Sequence, residues 1–296
     1  MQKRKFKNRL IHRALQTGLG FYFGMGHKIR PSLENLSCKL AWKLSKHEKQ
    51  IALTQLQERF TDGDTDAAEL ISLGITRHLA RSLFEALELW RGNTEILNEV
   101  HFTPGSLKRL QDATAEGRGV MVFTGHIGNW ELMAAKLVDA GFPTATFAKS
   151  SYDPQIDELV NSFRSSYRIK SIDRDAEDAF EKASMYLKQG YLLGALVDQD
   201  TKVSSVGVPF FGKTAKTPIG PAVLAIKNRV AAVSCTIRRV ENQHWIHVEG
   251  PYEMKTDQAT QQQAFELTAW ATSKLEEAIR KAPEQWVWFH RRWRNQ

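Results

Sequence analysis

The stretch Gly119-Val-Met-Val-Phe-Thr-Gly125-His126-Ile-Gly128-Asn129-Trp130-Glu131-Leu-Met-Ala-Ala135 decides the fold class. An almost unbroken apolar run between glycines describes a strand buried on both faces. From Trp130 onward the apolar residues recur at helical spacing, and the change happens across a glycine-containing corner. A buried strand that turns over a short corner into an amphipathic helix is the repeating unit of a parallel α/β sheet. It puts His126 at the carboxyl end of a strand, where open sheets of this kind place their ligands. Glu131 follows five residues on, in the first turns of the helix. An imidazole whose second ring nitrogen donates to a carboxylate is a base held in one tautomer. Spacing alone also fits a structural or solvated pair.

Working outward, the same alternation continues. Thr103-Pro104 opens a helix that runs to Gly117, with Pro at the first position. Thr144 to Lys149 reads as a strand, Pro154 to Tyr167 as a helix, Ile169 to Ile172 as a strand and Ala176 to Lys188 as a helix. Tyr191 to Val197 is a buried strand ending in Asp198-Gln199-Asp200. Thr217-Pro218 reads as a cap and first turn of a helix reaching Asn228. Ala231 to Val240 and His244 to Val248 form a hairpin-like pair, and a helix from Asp257 to Lys281 precedes a Trp- and Arg-rich end. Strands alternating with helices of this length predict a twisted, mostly parallel sheet flanked by helices.

Upstream, residues 36–91 are helical. Ser45-Lys-His-Glu48 reads as a capping box, and Leu53, Leu56 and Phe60 share one face. A second long helix follows Asp62-Gly-Asp-Thr. These helices either cover the core or line a pocket. The expected organisation is an N-terminal, membrane-associating helical extension over residues 1–100 and a catalytic domain over 101–296.

With 296 residues and 42% hydrophobic composition the chain can bury a substantial core. Lys and Arg exceed Asp and Glu by 41 to 33, a net charge of +8 that favours anionic lipid, nucleic acid or an acidic protein partner. No nucleic-acid-binding motif accompanies the charge, so nucleic acid is not expected as a partner. Cys38 and Cys235 lie far apart without metal-ligand spacing, so neither a disulfide framework nor a metal site is expected. The first thirteen residues carry six Lys or Arg interleaved with Phe6, Leu10 and Ile11, a pattern that suits adsorption to an anionic membrane surface. The apolar segment Ala14 to Gly26 is too short to cross a bilayer and lacks the features of a secretory signal, so a peripheral or shallowly anchored protein is expected.

The segment His126, Gly128, Asn129, Trp130, Glu131 resembles the H-x4-E signature of the bacterial lipid A late acyltransferases, a branch of the glycerolipid acyltransferase superfamily. Leu196-Val-Asp198-Gln199-Asp200 and Gly207-Val-Pro209-Phe210-Phe211-Gly212 through Thr217-Pro218 and Ala222 are similar to a further block of that family. Gly117-Arg-Gly119 and Pro283-Glu-Gln285-Trp286-Val-Trp288-Phe-His290-Arg291-Arg292-Trp293 are similar to its other markers. The resemblance covers roughly residues 30 to 294. Members often carry a hydrophobic N-terminal anchor where this chain has only a short Gly-rich segment.

The resemblance implies a glycerolipid-acyltransferase-like fold. It also implies transfer of a fatty acyl chain from acyl carrier protein, or from a coenzyme A thioester, to a hydroxyl of a lipid A precursor at the cytoplasmic face of a bacterial inner membrane. No cofactor beyond that cosubstrate is implied. His126 is then the general base and Glu131 its orienting carboxylate, with no Ser or Cys placed for a covalent acyl-enzyme. Backbone N–H groups at 128–131 offer an oxyanion or phosphate site. Arg164 matches a family arginine near the active site and suits an anion; the alternative is a surface arginine. Asn129 and Trp130 are expected at the substrate, and Asp198 and Gln199 position the acceptor or buttress the catalytic loop. Phe210 and Phe211 either wall the acyl slot or belong to the core. Trp286, Trp288 and Trp293 with the neighbouring arginines are an interfacial anchor, a phosphate site or a packed end. The rival readings are an acyltransferase of the same fold acting on a lysophospholipid or another glycolipid, and a non-catalytic basic membrane-binding protein.

Overall fold

The computed structural model describes residues 30–149, 154–255 and 260–294, together with positions 18, 20, 22 and 24. The basic segment over residues 1–13 lies outside the described residues.

Positions 18, 20, 22 and 24 are helical, and after them come α1 (Arg30–Leu44), α2 (Lys46–Arg59) and α3 (Thr65–Trp90). A 3-10 turn (Thr94–Glu99) leads into β1 (Val100–Phe102), α4 (Ser106–Thr114), β2 (Val120–Thr124) and α5 (Trp130–Asp139). Then follow β3 (Thr144–Ala148), α6 (Pro154–Ser166), β4 (Lys170–Asp173), α7 (Ala179–Lys188) and β5 (Leu192–Leu196). A hairpin of β6 (Ser205–Phe210) and β7 (Lys213–Pro218) precedes α8 (Gly220–Asn228), β8 (Ala231–Val240), β9 (Gln243–Glu249), α9 (Thr260–Lys281) and a 3-10 turn (Pro283–Gln285).

The main sheet has the order β1-β9-β8-β2-β5-β3-β4. Strands β8, β2, β5, β3 and β4 run parallel, and β9 turns back antiparallel with β1 alongside it. The expected mostly parallel, helix-flanked α/β sheet is thus present. The chain leaves β2 through α5 toward β3 and β4, then returns through α7 to β5 and through α8 to β8. Neighbouring strands β2 and β5 therefore send their connections in opposite directions, which opens a crevice at their carboxyl ends.

Strand β2 is buried throughout because both its faces are covered. Met121 and Phe123 pack with α7, α8 and α9 on one side, and Val120 and Val122 with α4 and α5 on the other. A third, aromatic core holds Leu56, Ile75 and Ile127 together with Phe210, Phe211, Trp286 and Trp288.

Several local expectations change. Ser45 precedes α2 but makes no side-chain cap; its hydroxyl bonds Ala41 O instead. Helix α4 begins after a left-handed Gly105, so Thr103-Pro104 belongs to the approach. Pro218 ends a strand and Pro221 takes the first turn of α8. The β6–β7 hairpin and the short β1 carried no strand-like alternation strong enough to be read beforehand. Its two-residue turn, Phe211-Gly212, has φ of 51° and 70°, as a tight right-twisting hairpin requires. Phe211 tolerates this backbone because its ring is buried among Trp286 and Trp288 and its N–H donates to Glu276 Oε2 at 2.6 Å.

Gly119 enters β2 where α7 and β5 leave no room. A Cβ there would lie 2.4 Å from Tyr191 O and 2.7 Å from Leu187 O. Gly119→Ala is expected to lower the melting temperature through about 1–3 kcal/mol of overpacking, and an unchanged thermal midpoint would contradict this account.

Candidate active site

The register of β2 and β5 pairs Thr124 with Leu196, so two residues beyond the sheet position 126 comes opposite position 198. Asp198 occupies that place and is buried beneath the corner. Its Oδ1 accepts from His126 Nδ1 at 2.9 Å, and its Oδ2 accepts from the His126 backbone N–H and from Trp286 Nε1, each at 2.7 Å. Gly125 permits the approach, since a Cβ there would stand 3.0 Å from the Asp198 carboxyl. Burial alone would raise the Asp198 pKa, but the charge and hydrogen bonds of His126 and the Trp286 bond outweigh it and hold the carboxyl at about 2. An ionised carboxylate only accepts, so Nδ1 carries the proton and Nε2 is the basic atom. His126 lines the cavity described below, and Trp130 stands edge-on to it with ring centroids 5.0 Å apart.

This corrects the expected orienting partner. Glu131 sits on the first turn of α5 and bonds Arg164, from the last turn of α6, at 2.7 Å between Oε1 and Nη2. Five residues along the chain carry Glu131 onto the helix, whereas the neighbouring parallel strand delivers Asp198 directly under the imidazole. Arg164 is a partly buried wall residue of the same cavity and no surface arginine. With two of its five N–H donors committed to Glu131, it keeps others for an anion.

The corner is clamped from two directions. The end of the chain pairs with it: Gly128 N–H donates to Gln285 O at 2.9 Å, Val287 N–H donates to His126 O at 3.2 Å, and Ile127 bridges Trp286. Gly128, at φ 62°, is required here because a Cβ would meet Ile237 O at 2.0 Å. Its N–H is therefore unavailable as an oxyanion donor, and the Leu132 N–H is taken by Asn129 Oδ1. The first-turn N–H groups of Trp130 and Glu131 have no acceptor within the helix.

From the other side comes a buried ionic layer absent from the sequence reading. Glu85 of α3 accepts from Arg239 of β8 through both its Nη atoms, lies 3.2 Å from His244 Nε2, and accepts from Asn129 Nδ2 at 3.0 Å. Burial opposes its charge, yet the bonds from His244 and Arg239 hold its carboxyl well below the usual range. Nearby His78 is pushed down to about 4, chiefly by burial. His78, Ser82 and Glu85 recur at helical spacing, a polar stripe that was the available signal. Asn129 thus caps α5 and ties it to Glu85 and Ser82 O, and the place expected for it at the substrate is replaced by this structural one.

A cavity of about 650 Å³ opens beside the corner, a size suited to a lipid chain or a drug-sized ligand. His126, Trp130, Glu131, Arg164 and Gln199 line it, with apolar walls from β2, β3, β5 and the helices over them. Among the described residues none of α1, α2 or α3 lines it; Ala52 and Leu56 of α2 and Ala68, Ile75 and Leu89 of α3 pack into the cores instead. Phe210 and Phe211 do not line it either: both are buried in the aromatic core, where Phe210 stacks with Trp293 and Phe211 with Trp286. The terminal cluster is a packed end. Trp286 and Trp288 are buried, and Arg292, 1% exposed, bonds Lys216 O and Thr217 Oγ1. Burial draws its pKa down to about 10. Among the described residues no cluster of acidic, His or Cys side chains could hold a metal ion.

A buried carboxylate bonded to an imidazole at the carboxyl edge of a largely parallel sheet, beside a largely apolar cavity, marks an α/β protein whose site can take up a proton from a group bound there. Residues 3–295 match the family of bacterial lipid A biosynthesis acyltransferases, and the chain belongs to that family. Among curated relatives, it is 26% identical over 129 residues to a phosphatidylinositol mannoside acyltransferase of Mycobacterium tuberculosis, an alignment covering 43% of this chain and 41% of that protein. It is 27% identical over 127 residues to the protein of that name in Mycolicibacterium smegmatis, covering 42% of each. The match thus spans about two fifths of these relatives.

Asp198→Asn is expected to lower kcat on the order of 10³-fold or more, as removal of the orienting carboxylate does in hydrolase triads, with substrate KM little changed. Because the native Asp198 pKa is depressed, its stabilising contribution is present above about pH 4 and is lost as pH falls toward about 2. The Asn variant should lack that segment of the acid-unfolding curve. Asn129→Ala is expected to cost about 1–3 kcal/mol by loss of the cap and of a buried donor. A fall in melting temperature with unchanged acceptor KM is the expected readout; the reverse pattern would restore Asn129 to the substrate.

Proposed function

We propose that the protein transfers a fatty acyl chain from a thioester donor, acyl carrier protein in the first instance, to a hydroxyl of a lipid A precursor. The observation that carries this reading is the His126–Asp198 pair at the mouth of an apolar cavity, in a chain of the lipid A acyltransferase family.

His126 Nε2 takes the proton of the acceptor hydroxyl as its oxygen attacks the thioester carbonyl. Asp198 stabilises the imidazolium, which needs no rotation because Nδ1 is already bonded. The tetrahedral oxyanion is held by Arg164 and the first-turn N–H groups of α5. Collapse breaks the carbon–sulfur bond, and the proton on Nε2 leaves with the sulfur as a thiol. The products are an ester and a free thiol, with His126 neutral again. The acyl chain lies in the apolar cavity, which excludes the competing water.

The membrane is reached from the surface in this reading. Among the described residues no helix is long and apolar enough to cross a bilayer. Leu36, Leu40 and Leu44 stand exposed at successive turns of α1 beside Lys39, Lys43 and Lys46, a face that suits an anionic lipid interface. Acyl carrier protein and lipid A precursors are acidic, which the net positive charge favours.

A second reading keeps the chemistry and changes the acceptor to another glycolipid. It is favoured by the mycobacterial relatives, which are phosphatidylinositol mannoside acyltransferases.

The test is to incubate purified protein with acyl carrier protein charged with defined chains and to offer a tetra- or penta-acylated lipid A precursor beside a mannosylated phosphoinositide. A mass gain of one acyl group on the precursor, lost in His126→Ala, is the expected result. Gain on the mannolipid alone would select the second reading. Acylation by a correctly folded His126→Ala protein would sink the mechanism.

A further inference from the structure

The cavity is walled by both cores that the sheet separates. Val122, Met133, Leu137 and Leu192 belong to the core under α5, whereas Ala145, Ala179, Ala195 and Leu224 belong to the core under α7 and α8; all eight line the cavity. A continuous sheet would keep these sets apart. The pairing records where it parts. Strand β3 pairs with β5 only at Thr144–Leu192, Ala145–Leu193 and Thr146–Gly194, while β5 stays with β2 as far as Leu196 and β3 stays with β4 as far as Ala148. Beyond Thr146 and Gly194 the strands diverge, and Phe147, Ala148, Ala195 and Leu196 on the two sides of the gap line the cavity. One space therefore passes through the edge of the sheet and has a limb on each face.

The limbs differ. The α5 limb follows β5 from Leu196 back to Leu192, about 13 Å at strand spacing, and reaches buried Leu137 and Leu192. The α7–α8 limb has an open rim: Phe180 is 40% and Val203 38% exposed, and both line the cavity. Ala145, Phe147, Ala179, Ala195 and Leu224 give this limb apolar walls that suit an alkyl chain, while the polar groups of Arg174, Glu177, Thr201 and Ser204 also line the cavity.

We propose that the cavity holds two alkyl chains at once, one on each face of the sheet: the donor acyl chain in the deep α5 limb and a chain of the lipid acceptor in the open α7–α8 limb. The acceptor is then a lipid already carrying a chain, brought to His126 by that chain as well as by its headgroup. This assignment rests on the acyl-transfer reading; the two-chain cavity itself does not.

Native mass spectrometry of the full chain with dodecanoate tests the cavity without turnover. Two dodecanoates per wild-type protein are expected, and one in each of Ala134→Phe, which fills the α5 limb, and Ala179→Phe, which fills the α7–α8 limb. Ala176→Phe, at the more open end of the second limb, replaces Ala179→Phe should that variant fail to fold by circular dichroism. In turnover, the α7–α8 variant is expected to raise KM for a chain-bearing acceptor about tenfold or more relative to a deacylated one, the scale of a few lost methylene contacts. Ala134→Phe is expected to shift the preferred donor to shorter chains. A single dodecanoate in the wild type overturns the proposal, as does an Ala179→Phe protein whose KM rises for the donor instead. Two bound chains with no acyl transfer to any glycolipid would overturn the acceptor assignment and the proposed function while leaving the two-limbed cavity standing.

Discussion

The buried carboxylate of Asp198 is the constraint around which the rest is arranged. A charge in a dry interior costs several kcal/mol unless every lone pair is engaged, and here three donors from two distant parts of the chain converge on it. The imidazole and its own N–H come from the corner after β2, and the indole comes from the last dozen residues. Satisfying Asp198 therefore requires the correct register of β2 and β5, a glycine at 125 and a closed C-terminal segment. A misfolded arrangement would leave the charge stranded, so the site and the fold share one condition.

The second ionic layer serves the same corner from behind. Glu85 links α3, β8, β9 and the first residue before α5, and its partners are themselves buried. Gln285 adds a paired bond to the backbone of Arg239 on each side, through its amide oxygen and nitrogen. The corner thus meets α3 on one side and the chain end on the other, and hydrogen bonds from both fix the imidazole. Rigidity of this kind holds the His126 ring in one orientation at the cavity before any substrate arrives.

The strong periodicities were legible. β2, β5, β8 and the helices α5, α7 and α9 announced themselves by apolar runs or helical spacing, and boundaries moved by only a few residues. What was not legible depends on pairing rather than pattern. The β6–β7 hairpin alternates weakly, and the Phe211-Gly212 turn uses a left-handed Phe that no local preference favours. Phe210 and Phe211 were ambiguous between substrate wall and core, and the terminal tryptophans between an interfacial anchor, a phosphate site and a packed end, because an aromatic ring looks the same in each place; packing put them in the core. Arg292 was equally open, and only the carbonyl and hydroxyl waiting at Lys216 and Thr217 made a buried guanidinium tolerable.

His126 at the carboxyl end of a buried strand, in a largely parallel α/β sheet, followed from the sequence by itself, because strand, corner and helix are local and each leaves its own spacing. Which carboxylate serves His126 was decided by tertiary structure alone. Glu131 is near in sequence but is carried away by the helix, while Asp198 is distant in sequence and delivered by the adjacent strand. Sequence separation does not measure distance across a parallel sheet, where neighbours are set by register, and a hydrogen bond responds to that distance.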